Sequence, residues 1–241
     1  MLRIIKFFKD ALLIFPLTMI FQPIARYMAF IYYYNRLIVW IYKNKSKVEF
    51  KDFYSPFRNY EKRLNLYKFV SDKYSLNSIE INYLEFGVAS GSSFKWWLVN
   101  NTNQKSSFSG FDTFEGLPEE WGTYDKGAMS STIPVINDER GSFFKGLFQD
   151  TLVNFIEANS TKLKSDTQKV IHMDADLYSA TAFTLSQLYP FLRKGDVILF
   201  DEFSVAMHEF KAYDEFINNF YVKLTPIASV NNFYQTAFVV E

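Results

Sequence analysis

The sequence predicts an open, mostly parallel α/β sheet of about seven strands with an antiparallel edge strand, preceded by a helical N-terminal extension. Three observations predict it. Short apolar runs of strand length alternate with helical patterns from about residue 55 onward, as crossover connections between parallel strands require. The last two apolar runs, Leu224–Val230 and Tyr234–Val240, are separated only by Asn231–Phe233. That link is too short for a parallel crossover, so the two runs pair as a hairpin. Finally, glycines and acids follow the strands directly, at the carboxyl ends where such sheets bind ligands.

Composition bounds the alternatives. The chain has 241 residues, 26 Lys+Arg against 26 Asp+Glu, and no cysteine. Disulfides, zinc-thiolate sites, iron–sulfur clusters and a thiol nucleophile are therefore excluded. The zero net charge hides an asymmetry. Residues 1–47 carry eight bases (Arg3, Lys6, Lys9, Arg26, Arg36, Lys43, Lys45, Lys47) and one acid, Asp10; the remainder carries 18 bases and 25 acids. A basic, greasy head on an acidic body suggests two jobs, and the acidic body argues against nucleic acid as a partner. We divide the chain into an extension, residues 1–54, and a body, residues 55–241.

In the extension the longest uncharged run, Ala11–Ala25, is 15 residues and is interrupted by Pro16 and Pro23. A bilayer-spanning helix needs about 20 apolar residues. No small-residue cleavage site follows the run, which disfavours a secretory signal. Three readings stand: a helix pair in the membrane interface with Tyr32, Tyr33, Tyr34, Trp40 and Tyr42 at headgroup depth, a re-entrant or short spanning hairpin broken at the prolines, or a helical lid packed on the body or on a second subunit. Aromatic surface at this density favours a homo-oligomer or a membrane contact.

The body begins with Phe57–Tyr74, where Tyr60, Leu64, Tyr67 and Val70 recur at helical spacing. Asn82–Phe86 reads as the first strand, with a helix from Ser92 to Val99 after a glycine-containing turn. Ser107–Phe111 and Phe143–Gly146 read as the next two strands, the latter followed by a helix over Asp150–Ala158. Lys169–Met173 and then a helix over Ala180–Leu192 follow, and Asp196–Phe200 precedes a helix over His208–Phe220. The terminal hairpin completes the sheet.

The strand ends carry the candidate chemistry. Gly87 and Gly91 bare the backbone where a ligand can approach, and the next helix offers its N-terminal amides. Their spacing, G-x-x-x-G, is neither a dinucleotide fingerprint nor a phosphate loop. Asp112 ends its strand where an acid can accept two hydrogen bonds from a ribose diol, or serve as a cap or loop aspartate. Asp150 is placed to cap the helix that follows it. Asp174 and Asp176 follow one strand, Asp201 and Glu202 the next. Four acids held close are costly unless a cation or protons neutralise them. An all-oxygen set suits Mg²⁺, Mn²⁺ or Ca²⁺ better than zinc. His172 reads as a core residue.

Together the strings LEFGVASGSSF (84–94), GFDTFEGLPEEW (110–121), KGLFQDTL (145–152), HMDADLYSAT (172–181) and GDVILFDEF (195–203) resemble the macrocin O-methyltransferase family. Its members include mycinamicin and novobiocin sugar methyltransferases. The resemblance covers about residues 60–240. It implies a Rossmann-like class I methyltransferase that uses S-adenosylmethionine and Mg²⁺ (or Mn²⁺) to methylate a sugar hydroxyl. Carried onto this chain, it implies that Gly87 and Gly91 line the methionine end of the cofactor, with Glu85 near its amino group, and that Ser93 is a further cofactor-binding residue. Asp112 then takes the ribose hydroxyls and Asp150 the adenine amine. Asp174, Asp201 and Glu202 are the implied metal ligands, and Tyr178 shapes the acceptor side. Asp174, nearest the bound hydroxyl, is the candidate general base, with His208 as runner-up.

Two features depart from the family pattern. Ser204–Val205–Ala206–Met207 replaces the longer Gly- and Pro-containing loop on the acceptor side, and the hydrophobic extension is additional. From the extension we expect a cell-envelope glycan or lipid-linked sugar as acceptor, and a cytoplasmic protein peripheral on the inner face of the membrane. A nucleotide-sugar epimerase or dehydratase would need a G-x-G-x-x-G turn and a Tyr-x-x-x-Lys pair, and neither is present. A non-catalytic, membrane-associated scaffold with a degenerate methyltransferase fold is the alternative.

Overall fold

A computed structural model describes the backbone of residues 1–241 and every side chain except that of Leu17. The extension forms helix α1 (Leu2–Ile14), a 3-10 segment (Leu17–Ile24) that contains Pro23, and helix α2 (Ala25–Asn44). The body follows as β1 (Phe50–Lys51), α3 (Lys62–Lys73), β2 (Ile81–Phe86), α4 (Ser92–Asn100), β3 (Ser107–Asp112), β4 (Gly141–Lys145), α5 (Phe148–Leu163), β5 (Gln168–Met173), α6 (Tyr178–Leu188), β6 (Val197–Phe200), α7 (Glu209–Asn219), β7 (Leu224–Val230) and β8 (Gln235–Val240).

The strands build one eight-stranded sheet in the order β1-β7-β8-β6-β5-β2-β3-β4. All pairings are parallel except those of β8, which runs antiparallel to both β6 and β7. The hairpin is therefore present, and β1, two residues long and silent in the sequence pattern, adds an eighth strand outside β7. Because β1 is residues 50–51, the sheet begins five residues before the division drawn at 54/55. Alternation along the strands feeds two cores. Leu84, Phe86, Phe111, Ile171 and Phe200 pack under α2, α5, α6 and α7. Tyr83, Phe108, Val170 and Leu199 pack under α3 and α4 on the other face.

Helix boundaries shift for local reasons. The helix expected from Phe57 starts at Lys62, because the preceding segment is held by the β7–β8 turn. Asn231 accepts from Asn59 N (2.9 Å) and donates to Asn59 O (3.0 Å), while Asn232 makes the same double contact with the backbone of Ser55 at 2.7 Å each. Helix α5 begins at Phe148, so Asp150 lies inside its first turn and makes no capping bond. There its charge meets the positive end of the helix dipole. Helix α6 stops at Leu188 and gives way to a 3-10 turn at Pro190, since proline cannot donate to the preceding turn.

Helix α2 docks on the body, as in the packed-lid reading. Leu37 and Ile41 are buried, and Trp40 lies 4.8 Å from Phe203 and within 6 Å of Tyr213, Phe233 and Phe238, ring centre to ring centre. Arg36 grips Asp214 with two bonds of 2.7 Å, and Tyr33 donates to Glu215 (2.7 Å). Arg36 is 39% exposed, so water screens the pair. Arg36→Met should cost only about 1 kcal/mol, read as a lower denaturant midpoint with an unchanged slope. Among the described residues no helix is long and apolar enough to cross a membrane.

Candidate active site

The chain runs from β2 outward to β3 and β4, then returns to the other side of β2 with β5. That reversal opens a crevice at the carboxyl ends of β2 and β5, the place where doubly wound sheets bind ligands. A cavity of about 440 Å³ lies there, lined by residues following β2, β3, β4, β5 and β6 and roofed by the 113–129 loop. A larger groove of about 860 Å³ sits by the opposite strand ends, around Asn82, Ser107 and Arg140. It gathers none of the strand-end acids.

Gly87 forms the cavity floor at φ +97°, and a Cβ there would stand 1.7 Å from the Asp174 carbonyl oxygen. Only glycine allows the ends of β2 and β5 to approach this closely. Asp112 also lines the cavity. One of its oxygens accepts from Val88 N (2.8 Å) and Ala89 N (2.7 Å), the other from Phe114 N (2.7 Å). Asp112 thus fills the loop role, with three of about four acceptor positions used and one remaining. Leu147, Phe148 and Gln149 supply the lining beside α5; Asp150, the next residue, is exposed and outside the lining.

Three expected residues are not part of the cavity lining. Gly91, left-handed at φ +77°, backs onto Pro134. Ser93 shares a hydrogen bond with Tyr67 Oη at 3.2 Å. Glu85 accepts from Tyr83 Oη. His172 is fully buried, with Nδ1 3.0 Å from Tyr83 Oη and Nε2 3.3 Å from Tyr67 Oη. It is the core histidine the sequence suggests.

The acids do gather. Asp174, Asp176, Asp201 and Glu202 all line the cavity. Asp174, Asp176 and Glu202 offer oxygens within 4.8 Å of one another, and Asp174 and Asp201 do so together with a His172 nitrogen. Asp174 is common to both groups, and Asp176 joins the candidate ligands beside the three residues expected from sequence. Two further residues had no sequence signal of their own. Glu209, fully buried at the start of α7, accepts from Glu202 N (2.9 Å) and so ties α7 to the end of β6. Arg63 of α3 approaches Asp201 to 3.7 Å and is the cationic residue in the lining. Its long-range placement follows from the asparagine clasp on residues 55–59.

One arginine does not balance five acids. Asp201 Oδ1, Glu202 Oε2 and Glu209 Oε1 are buried without a hydrogen-bond partner, which is costly unless a cation meets them. The donor set, carboxylate oxygens with no thiolate, fits Mg²⁺ or Mn²⁺. Burial, reinforced by mutual repulsion, pushes the carboxyls of Asp174, Glu202 and Glu209 well up. Asp176 is raised to about 7, first by burial and then by Asp201 and Asp112.

The raised groups set a pH dependence. The folded chain holds protons at these acids that the unfolded chain has released above about pH 4. Metal-free stability must therefore fall as pH rises from about 4 through about 7. We expect a lower Tm at pH 8 than at pH 5 in chelator, and a larger stabilisation by MgCl₂ at pH 8, because cation and protons compete for the same oxygens. An Mg²⁺-independent Tm at both values would argue against a cation site.

His208 falls outside the lining. Its Nδ1 accepts from Tyr178 N (3.3 Å), and burial holds its pKa down. The neutral ring then carries its proton on Nε2, a donor. Tyr178 N thus engages the basic nitrogen that the runner-up base role expected from sequence would use.

In sequence, the family model Macrocin-O-methyltransferase (TylF) matches residues 134–236. Asp150, both acid pairs and Glu209 fall inside that segment; Gly87 and Asp112 precede it. Demethyldecarbamoylnovobiocin O-methyltransferase of Streptomyces niveus is 34% identical over 79 residues, 33% of this chain and 27% of that protein. The match thus spans about a quarter of this relative's length. Among solved structures, CalS11, a calicheamicin methyltransferase, superposes with a TM-score of 0.59 at 17% identity, covering 86% of this chain and 91% of that one. The O-methyltransferase NovP superposes with a TM-score of 0.54 at 21% identity, over 74% and 79%. The fold is thus shared with these two structures, and the sequence resembles macrocin O-methyltransferases over the segment that carries the acids.

Proposed function

We propose that this protein is an S-adenosylmethionine-dependent O-methyltransferase acting on a sugar hydroxyl, with assistance from a divalent cation. One observation carries the reading. A single cavity joins a cofactor half, floored by Gly87 and edged by Asp112 and Gln149, to an acidic half formed by Asp174, Asp176, Asp201 and Glu202.

In this reading Asp112 spends its remaining acceptor capacity on the ribose hydroxyls, and the backbone around Gly87 lies against the methionine part of the cofactor. Asp150 sits one residue beyond the lining and reaches the adenine amine from the first turn of α5. Asp174, Asp201 and Glu202, with Asp176 beside them, would hold Mg²⁺ or Mn²⁺. Such an ion, when bound, lowers the pKa of a nearby hydroxyl. Asp174 receives the hydroxyl proton as the oxygen attacks the methyl carbon. A carbon–oxygen bond forms, the carbon–sulfur bond breaks, and the sulfonium becomes a thioether. Holding donor and acceptor in line contributes up to about 7–11 kcal/mol in favourable cases, and proton acceptance about 10²–10⁴-fold.

The acceptor we favour is a cell-envelope glycan or lipid-linked sugar, because the extension keeps a large apolar surface outside the body. The protein would then work peripherally on the inner face of the cytoplasmic membrane. Calorimetry with S-adenosylhomocysteine, followed by a methyl-transfer screen of nucleotide-linked and lipid-linked sugars, tests the assignment. We expect binding and transfer, with transfer lost in chelator and restored by MgCl₂. Absence of cofactor binding would refute it.

A further inference from the structure

Helix α1 buries none of its residues, although it is rich in large apolar side chains. At 100° per residue, Arg3, Lys6, Lys9 and Asp10 share a sector of about 120°, and Ile4, Phe7, Phe8 and Leu12 lie opposite. Phe7 is 68% exposed and Phe8 62%. Beyond the 3-10 segment, the outer side of α2 exposes Tyr27, Tyr32 and Tyr42, while its inner side is fixed to α7. The exposed apolar surface of the molecule is thus concentrated in its most basic part.

Charge chooses the occupant. A second copy pairing through the same face would set two strongly basic extensions against each other, which like charges oppose. Pairing with the acidic body of another copy would satisfy the bases, but the large apolar residues exposed there come in short groups, such as Tyr54, Phe57 and Tyr60 or Ile133 and Val135, against the continuous run along α1. An anionic bilayer surface satisfies both halves: phosphates meet the bases, and the acyl boundary receives the apolar side to a depth of about 5–10 Å.

We infer that α1 and the 3-10 segment lie flat in an anionic membrane surface, with the outer tyrosines of α2 at headgroup level. This deepens the lipid-linked acceptor reading and rests on it for the orientation of the site. Helix α2 provides the rigid arm. One oxygen of Glu215 accepts from Tyr33, and the other accepts from Tyr178 (2.6 Å). Tyr178 follows Leu177, which lines the cavity. The site is thereby held at a fixed height above the lipid.

The test is flotation of the full chain with phosphatidylcholine vesicles, alone or with one third phosphatidylglycerol. The chain should float with the anionic vesicles. Lys6→Glu with Lys9→Glu should weaken that binding by about tenfold or more, and Phe7→Asp with Phe8→Asp should abolish it. Both variants should keep the S-adenosylhomocysteine affinity and circular dichroism of the unsubstituted chain. Two results overturn the inference: an unsubstituted chain that stays with the soluble fraction, or a lipid-free dimer that Phe7→Asp with Phe8→Asp converts to monomer. Failure of flotation with intact cofactor binding rejects the membrane contact alone; flotation without cofactor binding rejects the catalytic reading alone.

Discussion

Asp201→Asn is expected to lower methyl transfer by roughly 10³-fold or more while leaving S-adenosylhomocysteine affinity near its original value. The exchange is isosteric, and the backbone anchor of Asp201, its N–H on Met173 O at 2.9 Å, is untouched. What disappears is one negative charge from a group of five acids, three buried and two half-buried, together with the partner of Arg63. In metal-free protein, removing that charge relieves repulsion on Asp174 and Glu202, whose raised carboxyls both register it. Tm in chelator should therefore hold or rise as activity falls. The Tm gain from MgCl₂ should shrink in parallel. Full turnover in this variant would show that the acid cluster is a structural arrangement without a catalytic task.

Gly87→Ala is expected to be the most damaging single-methyl addition in the chain. The new carbon would meet the Asp174 carbonyl carbon at 2.6 Å as well as its oxygen, in a left-handed backbone. Neither side can yield easily, because Gly87 N donates to Phe111 O (2.9 Å) and Asp174 N to Phe86 O (2.8 Å). Prying β2 from β5 should cost roughly 3 kcal/mol or more, and cofactor affinity should fall with it. Gly122→Ala is the control: φ is +60°, nothing lies within 4 Å, and a loss of about 1 kcal/mol is expected. Equal Tm changes in the two variants would overturn the close-approach argument.

The body was legible in the sequence because its information is local. Val170 to Met173 and Val197 to Phe200 announce buried strands by apolar content alone, and each strand's end is marked by a glycine or an acid. Asp112, Asp174, Asp201 and Glu202 could be placed by that rule. What stayed hidden depends on distant contacts. Strand β1 exists because Phe50 and Lys51 pair with Ala228 and Ser229. Arg63 reaches Asp201 because asparagines some 170 residues onward hold the chain that leads to it. Glu209 resembles an ordinary first-turn helix acid until burial shows it bonded to Glu202 N. His208 shows the opposite case: a residue type suited to catalysis, with Nδ1 engaged by a neighbouring amide.

Strand β8 sits between β6 and β7, although both precede it in the chain. During synthesis β7 must therefore leave the ribosome before the neighbour that connects it to the rest of the sheet, and the flank of β6 waits unpaired meanwhile. Tyr234, a wall of the cavity, arrives at the same late moment. Nascent α1 has by then long been exposed, free to meet a lipid surface before the cavity behind it is complete.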